Sequence, residues 1–486
     1  MNTITKRNLN LLFVLCSFAG FIIWISGIGS AELSGDEPFS VFHAMLPVHE
    51  MIVRLSTDNN PPLYELSLHF FIQLFGNAET TVRIPSALFA GLAIFVNAKM
   101  MSRFFSQRTA FISVAFFIFS NYYLVYARQA RAYALFLLLS VCFAYLFLRI
   151  IEQDGKTGTF KSLIQKSWRI GVLLVFCTVA ILCSHYMSVF LVAISFVFLF
   201  VAYFRKLISQ NAFFFILLTG FVALLFFLPQ AFIFLRNFNK VATNGTWLKA
   251  PTIQGLYDQL WRFSNSPVAT ISLLIPLLYI PAYRRHANNR SFQYITFLLL
   301  LSYFLIFIIS FKIPVFFDRY LIFIAPFFYN LISVNIDDFL SRYSKKLKYL
   351  ALLPLLIFIF SFRIKGLPSD HLQEALRYSE NENSCYVISP PWYDHTFYYY
   401  YERGKYFPEV FDDSNLPPSN VSFEFDLTKT YWNGIGKYAE VNVILSGDPG
   451  QSPFEEFNKK ITGEGFVLDT VLGINKASNS YVYRKY

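Results

Sequence analysis

Long apolar runs recur along the whole chain, and they constrain its fold more than any other feature. We place them near residues 9–29, 83–101, 109–126, 132–151, 170–185, 187–204, 212–235, 268–283, 293–311, 320–336 and 349–363. A helix needs about 20 mostly apolar residues to cross the hydrocarbon core of a bilayer. Charged residues make up only 15% of the chain, too few to cover a soluble protein of this length. The sequence therefore predicts an α-helical polytopic membrane protein with about 11 spans.

Positive charges are distributed unevenly between the two sets of connections. The set that begins with Lys6 and Arg7 holds 19 Lys and Arg, and the alternate set holds 10 when the long C-terminal segment is left out. Because cytoplasmic loops carry an excess of Lys and Arg, we predict a cytoplasmic N-terminus and an external C-terminus in the inner (cytoplasmic) membrane. The net charge of +11 is then explained by Lys and Arg residues that set the topology and contact membrane lipids. No nucleic-acid partner is needed to explain this charge.

The last 120 or so residues have the texture of a small water-facing domain. Strand-like stretches lie at Cys385–Ser389, Val441–Leu445, Phe466–Leu472 and Tyr481–Arg484, and helix-like stretches lie near 369–380, 393–402 and 453–462. We predict a transmembrane domain over 1–363, with a long first outer loop at 30–82, and an extracytoplasmic α/β domain over 364–486. Four of the five Cys fall in apolar runs, so neither a disulfide within the tail nor a Cys-based metal site is expected.

Two adjacent acids, Asp36 and Glu37, follow the first apolar run directly. A carboxylate at the mouth of a cavity between helices can accept a proton from a substrate hydroxyl, and partial burial would raise its pKa usefully. Acids at the start of a helix are also stabilised by the helix dipole without any catalytic role. The residues alone leave both interpretations open.

Further along the first outer loop lies Asp58-Asn59-Asn60-Pro61-Pro62-Leu63-Tyr64, followed by an amphipathic stretch from Leu66 to Phe75. Without other evidence, this pattern is typical of a helix start and of a helix lying in the membrane interface.

Two arginines, Arg128 and Arg131, lie in the short connection between the third and fourth spans, against the positive-inside bias. Arginine binds phosphate well because its guanidinium donates two parallel hydrogen bonds. An arginine near a helix end can equally reach the lipid headgroups.

Two further polar groups occur on the same predicted side of the membrane: Ser184-His185-Tyr186 and Asp318-Arg319-Tyr320. A single His at a helix end is more often a hydrogen-bonded packing residue than a ligand, and Asp318 and Arg319 could simply form an ion pair. Taken together, acids, cations and aromatic residues at one membrane surface suit a substrate with a lipid tail and a phosphate head.

In their order and spacing, these motifs resemble those of the GT-C superfamily of multi-spanning membrane glycosyltransferases. The most similar branch is the bacterial protein-mannosyltransferase and lipid A aminoarabinose transferase-like family. The matching residues are Gly35-Asp36-Glu37, the Asp58–Tyr64 motif, Leu74-Phe75-Gly76, Arg83–Phe89, Tyr126–Tyr133 with Leu135, Ser184-His185-Tyr186, Asp318-Arg319-Tyr320 and Ala325-Pro326. The resemblance is dense over 30–150, thin over 190–310 and absent in the tail.

The resemblance implies an inverting transfer of a sugar from a polyprenyl-phosphate donor to an acceptor hydroxyl on an envelope glycan, lipid or protein. It implies that Asp36 is the general base, that Glu37 orients the site, and that Arg131 and Tyr133 hold the lipid phosphate, whose negative charge grows as it leaves. The further substrate contacts that it suggests are Asn60, Arg128, His185, Tyr186, Arg319 and Tyr320.

The chain departs from the family at two of these positions. Relatives often carry His or Lys where Asn60 stands, and Gln-Glu where Arg128-Gln129 stands. A carboxylate is thereby lost, so no metal ligands are assigned, and a divalent cation stays open as a cofactor.

Two other classes of protein remain alternatives: a flippase or transporter of lipid-linked saccharides, and a non-catalytic scaffold for envelope assembly. A transporter favours ionisable residues deep within its spans and an inverted repeat, whereas the spans predicted here are nearly free of charge and show no repeat. A scaffold would not need Asp36, so activity measurements on Asp36→Ala and Asp36→Asn would separate these classes.

Overall fold

The computed structural model describes residues 6–33, 35–58, 60–154, 159–245, 248–343, 348–367, 371–378, 383–389, 393–401, 420–424, 427, 435–446, 452–475 and 478–485. The chain divides into two compact units. The first unit comprises Met1–Ser26, His49–Leu68 and Arg83–Lys365, and the second comprises Gly27–Val48, His69–Val82 and Gly366–Tyr486.

Most of the described chain is helical. In chain order the helices are α1 (Lys6–Ile25), α2 (Glu37–Met45), α3 (Val48–Thr57), α4 (Leu63–Phe75), α5 (Glu79–Phe104), α6 (Gln107–Ile118), α7 (Asn121–Ala127), α8 (Tyr133–Asp154), α9 (Phe160–Leu182), α10 (Ser188–Phe204), α11 (Gln210–Asn244), α12 (Ile253–Phe263), α13 (Pro267–Leu277), α14 (Ile280–Arg285), α15 (Arg290–Ile309), α16 (Ala325–Arg342), α17 (Leu353–Phe360), α18 (Leu372–Tyr378), α19 (Asp394–Tyr400) and α20 (Ser452–Gly463). Short 3-10 helices cover Asp318–Leu321 and Lys348–Leu352.

The helical part is that of a multi-pass membrane protein. Over the described ranges, seven helices are long and apolar enough to cross a membrane, and the bent pair α6–α7 makes an eighth if it is one broken span. Shorter apolar helices, among them α10, account for others of the predicted runs. The predicted number of eleven spans and their orientation remain predictions.

The run that we predicted as one span at 109–126 is two helices that meet at 62°. Asn265 satisfies the backbone groups freed at the break: its amide donates to the Phe119 carbonyl over 2.7 Å, and its side-chain oxygen accepts from the Asn121 N–H over 2.7 Å. Asn265 has a φ of +69°, a conformation that asparagine tolerates better than most residues. Inside a membrane, broken helices persist only where such partners exist.

A polar triad ties three helices together within the first unit. Asn330 on α16 accepts from Ser113 on α6 over 2.6 Å, and Asn330 and Asn97 on α5 exchange hydrogen bonds of 2.8 and 3.1 Å. All three side chains are buried. Hydrogen bonds of this kind join helices where lipid offers no hydrophobic driving force for association.

The second unit contains a five-stranded mixed sheet. Its strands are β1 (Ser384–Ser389), β2 (Val421–Phe423), β3 (Glu440–Ser446), β4 (Val467–Asn475) and β5 (Ser478–Arg484), in the order β2-β1-β3-β5-β4. β1 pairs with β2 and β3 in parallel, whereas β5 pairs with β3 and β4 antiparallel. The four strands and three helices predicted for the tail each coincide with an observed element, while positions 369–370, 379–380 and 402 of the predicted helices lie outside the described residues. The three-residue β2 is too short to show a hydrophobic period and was not predicted.

Parts of the first outer loop belong to this second unit. The Glu32 carboxylate accepts hydrogen bonds of 2.7 and 3.0 Å from the backbone N–H groups of Leu372 and Gln373 at the start of α18. The Leu33 N–H donates to the Tyr400 hydroxyl over 2.5 Å. The second unit includes two segments of the loop 30–82 as well as the tail. The domain boundary at residue 364 stays a prediction from sequence.

Candidate functional site

Arg131 lies in the connection between α7 and α8 in the first unit, and its side chain is held from the first outer loop. Its Nη2 donates to the Asn60 side-chain oxygen over 3.2 Å, and the Asn60 amide donates to the Asp58 carboxylate over 3.2 Å. Arg131 is only 8% exposed. The Asp58 contact therefore fixes the Asn60 amide so that a neutral oxygen orients the guanidinium.

The first outer loop is anchored at this point by three further hydrogen bonds. The Leu63 N–H at the start of α4 donates to the Cys183 carbonyl at the end of α9 over 3.0 Å. The Tyr64 hydroxyl lies 2.9 Å from the Ser86 hydroxyl, which donates to the Arg131 carbonyl over 3.4 Å. The prolines preceding Leu63 suit a helix start, so the motif at 58–64 positions both Asn60 and the Arg131 backbone.

His185 lies between α9 and α10 within an aromatic cluster. Its ring is parallel to that of Phe136, with centroids 4.9 Å apart. The rings of Tyr133 and Tyr320 lie 5.9 and 5.6 Å away from it. Three of the predicted site residues, Tyr133, His185 and Tyr320, are therefore neighbours in the structure.

The protonation state of His185 follows from its contacts. The Met187 N–H donates to His185 Nδ1 over 3.2 Å, so Nδ1 is an acceptor and the ring proton resides on Nε2. Burial, together with the positive charges of Arg131 and Arg319, lowers the pKa of His185 from 6.5 to about 3. His185 is thus a neutral hydrogen-bond donor that lies within the electrostatic reach of both arginines.

Arg319 lies in the 3-10 helix before α16, with its guanidinium 5.2 Å from the Phe317 ring centroid and 5.7 Å from that of Tyr320. Asp318 forms its ion pair with Arg262 over 2.9 Å, rather than with Arg319 as the simpler interpretation of the sequence expected. The Asp318 carboxylate also accepts from the Arg319 backbone N–H over 2.8 Å. These contacts direct the Arg319 side chain toward the aromatic cluster.

Tyr186 borders the same region through residues that the sequence did not single out. Gln230 on α11 donates to the Tyr186 hydroxyl over 3.4 Å, and the Phe234 ring lies 5.1 Å from the Tyr186 ring. Asn237, also on α11, donates to the Asp58 carbonyl. In the sequence, Gln230 and Asn237 could have been noticed only as polar residues at the end of a long apolar run.

Arg128 has a different environment from Arg131, three residues away. It donates from Nε to the Trp24 carbonyl over 2.9 Å, from Nη1 to the Lys365 carbonyl over 2.8 Å, and from Nη2 to the Ser26 carbonyl. Its side chain is buried. These contacts favour a structural role over the substrate contact expected for Arg128, because all three nitrogens already donate to the main chain.

Asp36 and Glu37 lie in the second unit at the start of α2. Asp36 precedes the helix without capping it through its side chain, and it is exposed. The partial burial expected for a catalytic Asp36 is therefore not found, whereas Glu37 is 4% exposed. The Phe42 ring on α2 lies 4.9 Å from the His395 ring. The Nδ1 atom of His395 is 2.7 Å from the Asp394 carboxylate.

No group of three or more His, Cys, Asp or Glu placed to hold a metal ion occurs in the part of the chain that the structure describes.

One family model matches part of the chain. Residues 59–233, which include Asn60, Arg131, Tyr133 and His185, match the model of a family described as dolichyl-phosphate-mannose-protein mannosyltransferase. No curated protein sequence matches the chain.

Three solved structures have a similar fold. ArnT from Cupriavidus metallidurans bound to undecaprenyl phosphate superimposes with a TM-score of 0.62 at 12% identity, covering 99% of this chain and 98% of that one. The Archaeoglobus fulgidus oligosaccharyltransferase tethered to an acceptor peptide gives 0.61 at 11% identity, covering 98% and 74%. AglB from the same organism, in complex with an inhibitory peptide and a dolichol-phosphate, gives 0.56 at 12%, covering 90% and 69%.

At such low identity these similarities establish the fold alone. With the family match, they confirm the resemblance to GT-C membrane glycosyltransferases that the sequence motifs indicate.

Proposed function

We propose that this protein is an inverting glycosyltransferase of the inner membrane that uses a polyprenyl-phosphate sugar as donor. The acceptor is a hydroxyl group on an envelope glycan, lipid or protein, and the reaction takes place at the extracytoplasmic face. The observation that carries the proposal is Arg131, oriented by Asn60 and grouped with His185, Tyr133, Arg319 and Tyr320. The undecaprenyl phosphate and dolichol-phosphate bound by two structures of similar fold support it.

The reaction makes and breaks one bond at the anomeric carbon of the sugar. The acceptor oxygen attacks that carbon from the face opposite the phosphate, the bond between carbon and phosphate oxygen breaks, and the electron pair stays with the phosphate. The products are the inverted glycoside and free polyprenyl phosphate. Negative charge accumulates on the leaving phosphate, so fixed cationic donors lower the barrier. Arg131 is the principal donor in this proposal, and Arg319 adds a second positive charge.

His185 contributes to this proposal as a neutral donor. Because Nδ1 accepts from the Met187 N–H, Nε2–H is left to donate to a phosphate oxygen. A leaving phosphate needs little protonation, so a neutral imidazole that donates a hydrogen bond is sufficient. Tyr133 and Tyr320 provide the aromatic surroundings of this imidazole, and Tyr186 lies at the edge of the same region.

Asp36 is the proposed general base, which takes the proton from the acceptor hydroxyl, and Glu37 is proposed to orient the site. Asp36 and Arg131 lie in different compact units, so the role of Asp36 rests on the sequence resemblance alone. A carboxylate within reach of the acceptor hydroxyl can take its proton.

The decisive experiment measures both products. Mass spectrometry of envelope lipids and glycans from cells with and without the gene identifies the sugar and the acceptor. Purified full-length protein is then given the extracted lipid-linked sugar and acceptor, and the release of polyprenyl phosphate is followed. We expect Arg131→Gln to lose turnover. Arg54→Gln, which breaks a surface pair with Glu50, serves as the matched control and should retain turnover.

The same assay separates the alternatives. A flippase would move the lipid-linked sugar to the other leaflet intact and release no polyprenyl phosphate. A scaffold would neither move nor consume it. If the wild-type protein leaves the donor unchanged in the presence of its acceptor, the transferase assignment is wrong.

A further inference from the structure

An apolar groove lies at the opposite end of α10 from His185. It has a volume of 630 Å³ and runs between α10 and the α14–α15 region, lined by Phe198, Phe292, Phe297 and Phe304 together with Arg205 and Thr296. α10 begins at Ser188 and Phe198 is its first residue to line the groove, so about 15 Å of helix separates the groove from the end of α10 beside His185. The groove is therefore not the proposed donor site.

The groove opens toward the region that lipid occupies. Leu300 and Phe304, which line it, are 47% and 48% exposed, and Phe204 at the end of α10 is 76% exposed. An open apolar surface on a membrane-spanning bundle is covered by hydrocarbon chains. A groove of this volume is within the size range of small-molecule sites, which also suits an acyl chain.

Arg205 is the one Lys or Arg that lines the groove among the described residues, and it has no acidic partner there. Arg285 and Arg342 pair with Asp338 over 2.8 and 3.3 Å, and Arg290 pairs with Asp154 over 3.4 Å. Arg205 is exposed at the mouth of the groove. An uncompensated cation beside an apolar groove is complementary to an anionic headgroup with a hydrocarbon tail.

Thr296 provides a second, independent indication. Its hydroxyl oxygen is buried and has no hydrogen-bond partner within the described ranges, although it lines the groove. Buried hydroxyl groups normally have a partner. Thr296 lies six residues along α15 from Arg290, about 9 Å from the start of the helix, a depth at which the ester carbonyl of a phospholipid can accept a hydrogen bond from the Thr296 hydroxyl.

We propose that this groove binds one acyl chain of an anionic phospholipid, with the lipid phosphate on Arg205 and an ester carbonyl on Thr296. By the distribution of positive charges, this end of the bundle is the predicted cytoplasmic side, where anionic lipids attract Lys and Arg. The site is distinct from the transferase reaction and does not depend on it.

Native mass spectrometry of the delipidated full-length protein tests the proposal, with phosphatidylglycerol as the anionic probe and phosphatidylcholine as the neutral one. We expect one phosphatidylglycerol to be retained in preference to phosphatidylcholine. Arg205→Gln should weaken that retention about five-fold, as expected for one cation near a lipid surface, and leave phosphatidylcholine unaffected. Lys161→Gln, which removes an exposed cation that does not line the groove, is the matched control.

A second variant tests the groove itself without removing a charge. Leu300→Trp places a bulkier side chain at an exposed position in the groove and should reduce retention of both lipids. Leu225→Trp, 49% exposed on α11 and not part of the groove lining, should have no effect. Size-exclusion profiles and thermal midpoints confirm that each variant is folded.

Equal retention of the two phospholipids by the wild-type protein would overturn the proposal, as would unchanged phosphatidylglycerol binding in Arg205→Gln. Displacement of phosphatidylglycerol by an equimolar polyprenyl phosphate, in an Arg205-dependent way, would instead assign the groove to the prenyl carrier and reject the phospholipid.

Discussion

Arg128 and Arg131 lie three residues apart in one connection, and the structure predicts opposite consequences for their replacement. Arg128→Gln removes a guanidinium that donates to the carbonyls of Trp24, Ser26 and Lys365. Arg131→Gln removes one that is held by the Asn60 side-chain oxygen. The first change should lower stability, and the second should lower turnover.

The size of the Arg128 effect follows from its hydrogen bonds. A hydrogen bond to a charged group contributes about 1.5–3 kcal/mol, and contributions from one side chain are not additive. Glutamine replaces at most one of the three bonds and leaves at least one buried carbonyl without a partner. We expect a loss of about 4 kcal/mol. At roughly 1–2 °C per kcal/mol for a chain of this length, that corresponds to a fall of about 4–8 °C in the thermal midpoint.

The Arg131 effect should appear in kcat. Removal of one donor aimed at developing negative charge typically lowers kcat by about 10²–10³-fold. Its hydrogen-bond partner, Asn60, retains its contact with Asp58, so the thermal midpoint should change little.

The assay combines thermal unfolding of the purified protein with initial rates of polyprenyl-phosphate release, measured on the folded fraction at a temperature well below both midpoints. Arg128→Gln should turn over at nearly the wild-type rate per folded molecule. The reasoning fails if Arg128→Gln loses turnover while keeping the wild-type midpoint, or if Arg131→Gln unfolds early and retains turnover.

Three further predictions concern other parts of the molecule. Asp36→Asn should lower turnover by about 10²–10⁴-fold with an unchanged thermal midpoint, since Asp36 is exposed; wild-type rates in Asp36→Asn would remove it from the mechanism. The folded-state pKa of His185 is about 3, below its ordinary value of 6.5, so the stability contributed by the neutral ring is complete above pH 6.5 and is lost as the pH falls toward 3. The thermal midpoint of the wild-type protein should therefore fall more steeply below pH 6.5 than that of His185→Phe. Parallel curves for the two proteins would contradict this. Asn330→Leu should cost about 1 kcal/mol, seen as a small fall in midpoint with turnover retained, and a complete loss of folded protein would show that the triad contributes far more.

The sequence alone indicated much of the architecture because the forces involved act over short stretches of chain. Seven apolar helices are each long enough to cross a membrane without reference to any other helix. The tail strands at Cys385–Ser389 and Val441–Leu445 likewise follow from their local patterns and lie within β1 and β3. The bend between α6 and α7 could not be predicted, since it depends on Asn265, more than a hundred residues away.

For the candidate site, the sequence identified the types of residue, and the tertiary structure decided their partners. Nothing in the local pattern distinguishes Arg128 from Arg131. One arginine donates to carbonyls at Trp24, Ser26 and Lys365, while the other contacts Asn60. Likewise, the lowered pKa of His185 depends on its burial and on two arginines from other helix connections. Hydrophobic insertion is a sum over neighbouring residues, whereas hydrogen bonds and charge pairs depend on which distant segments the fold brings together.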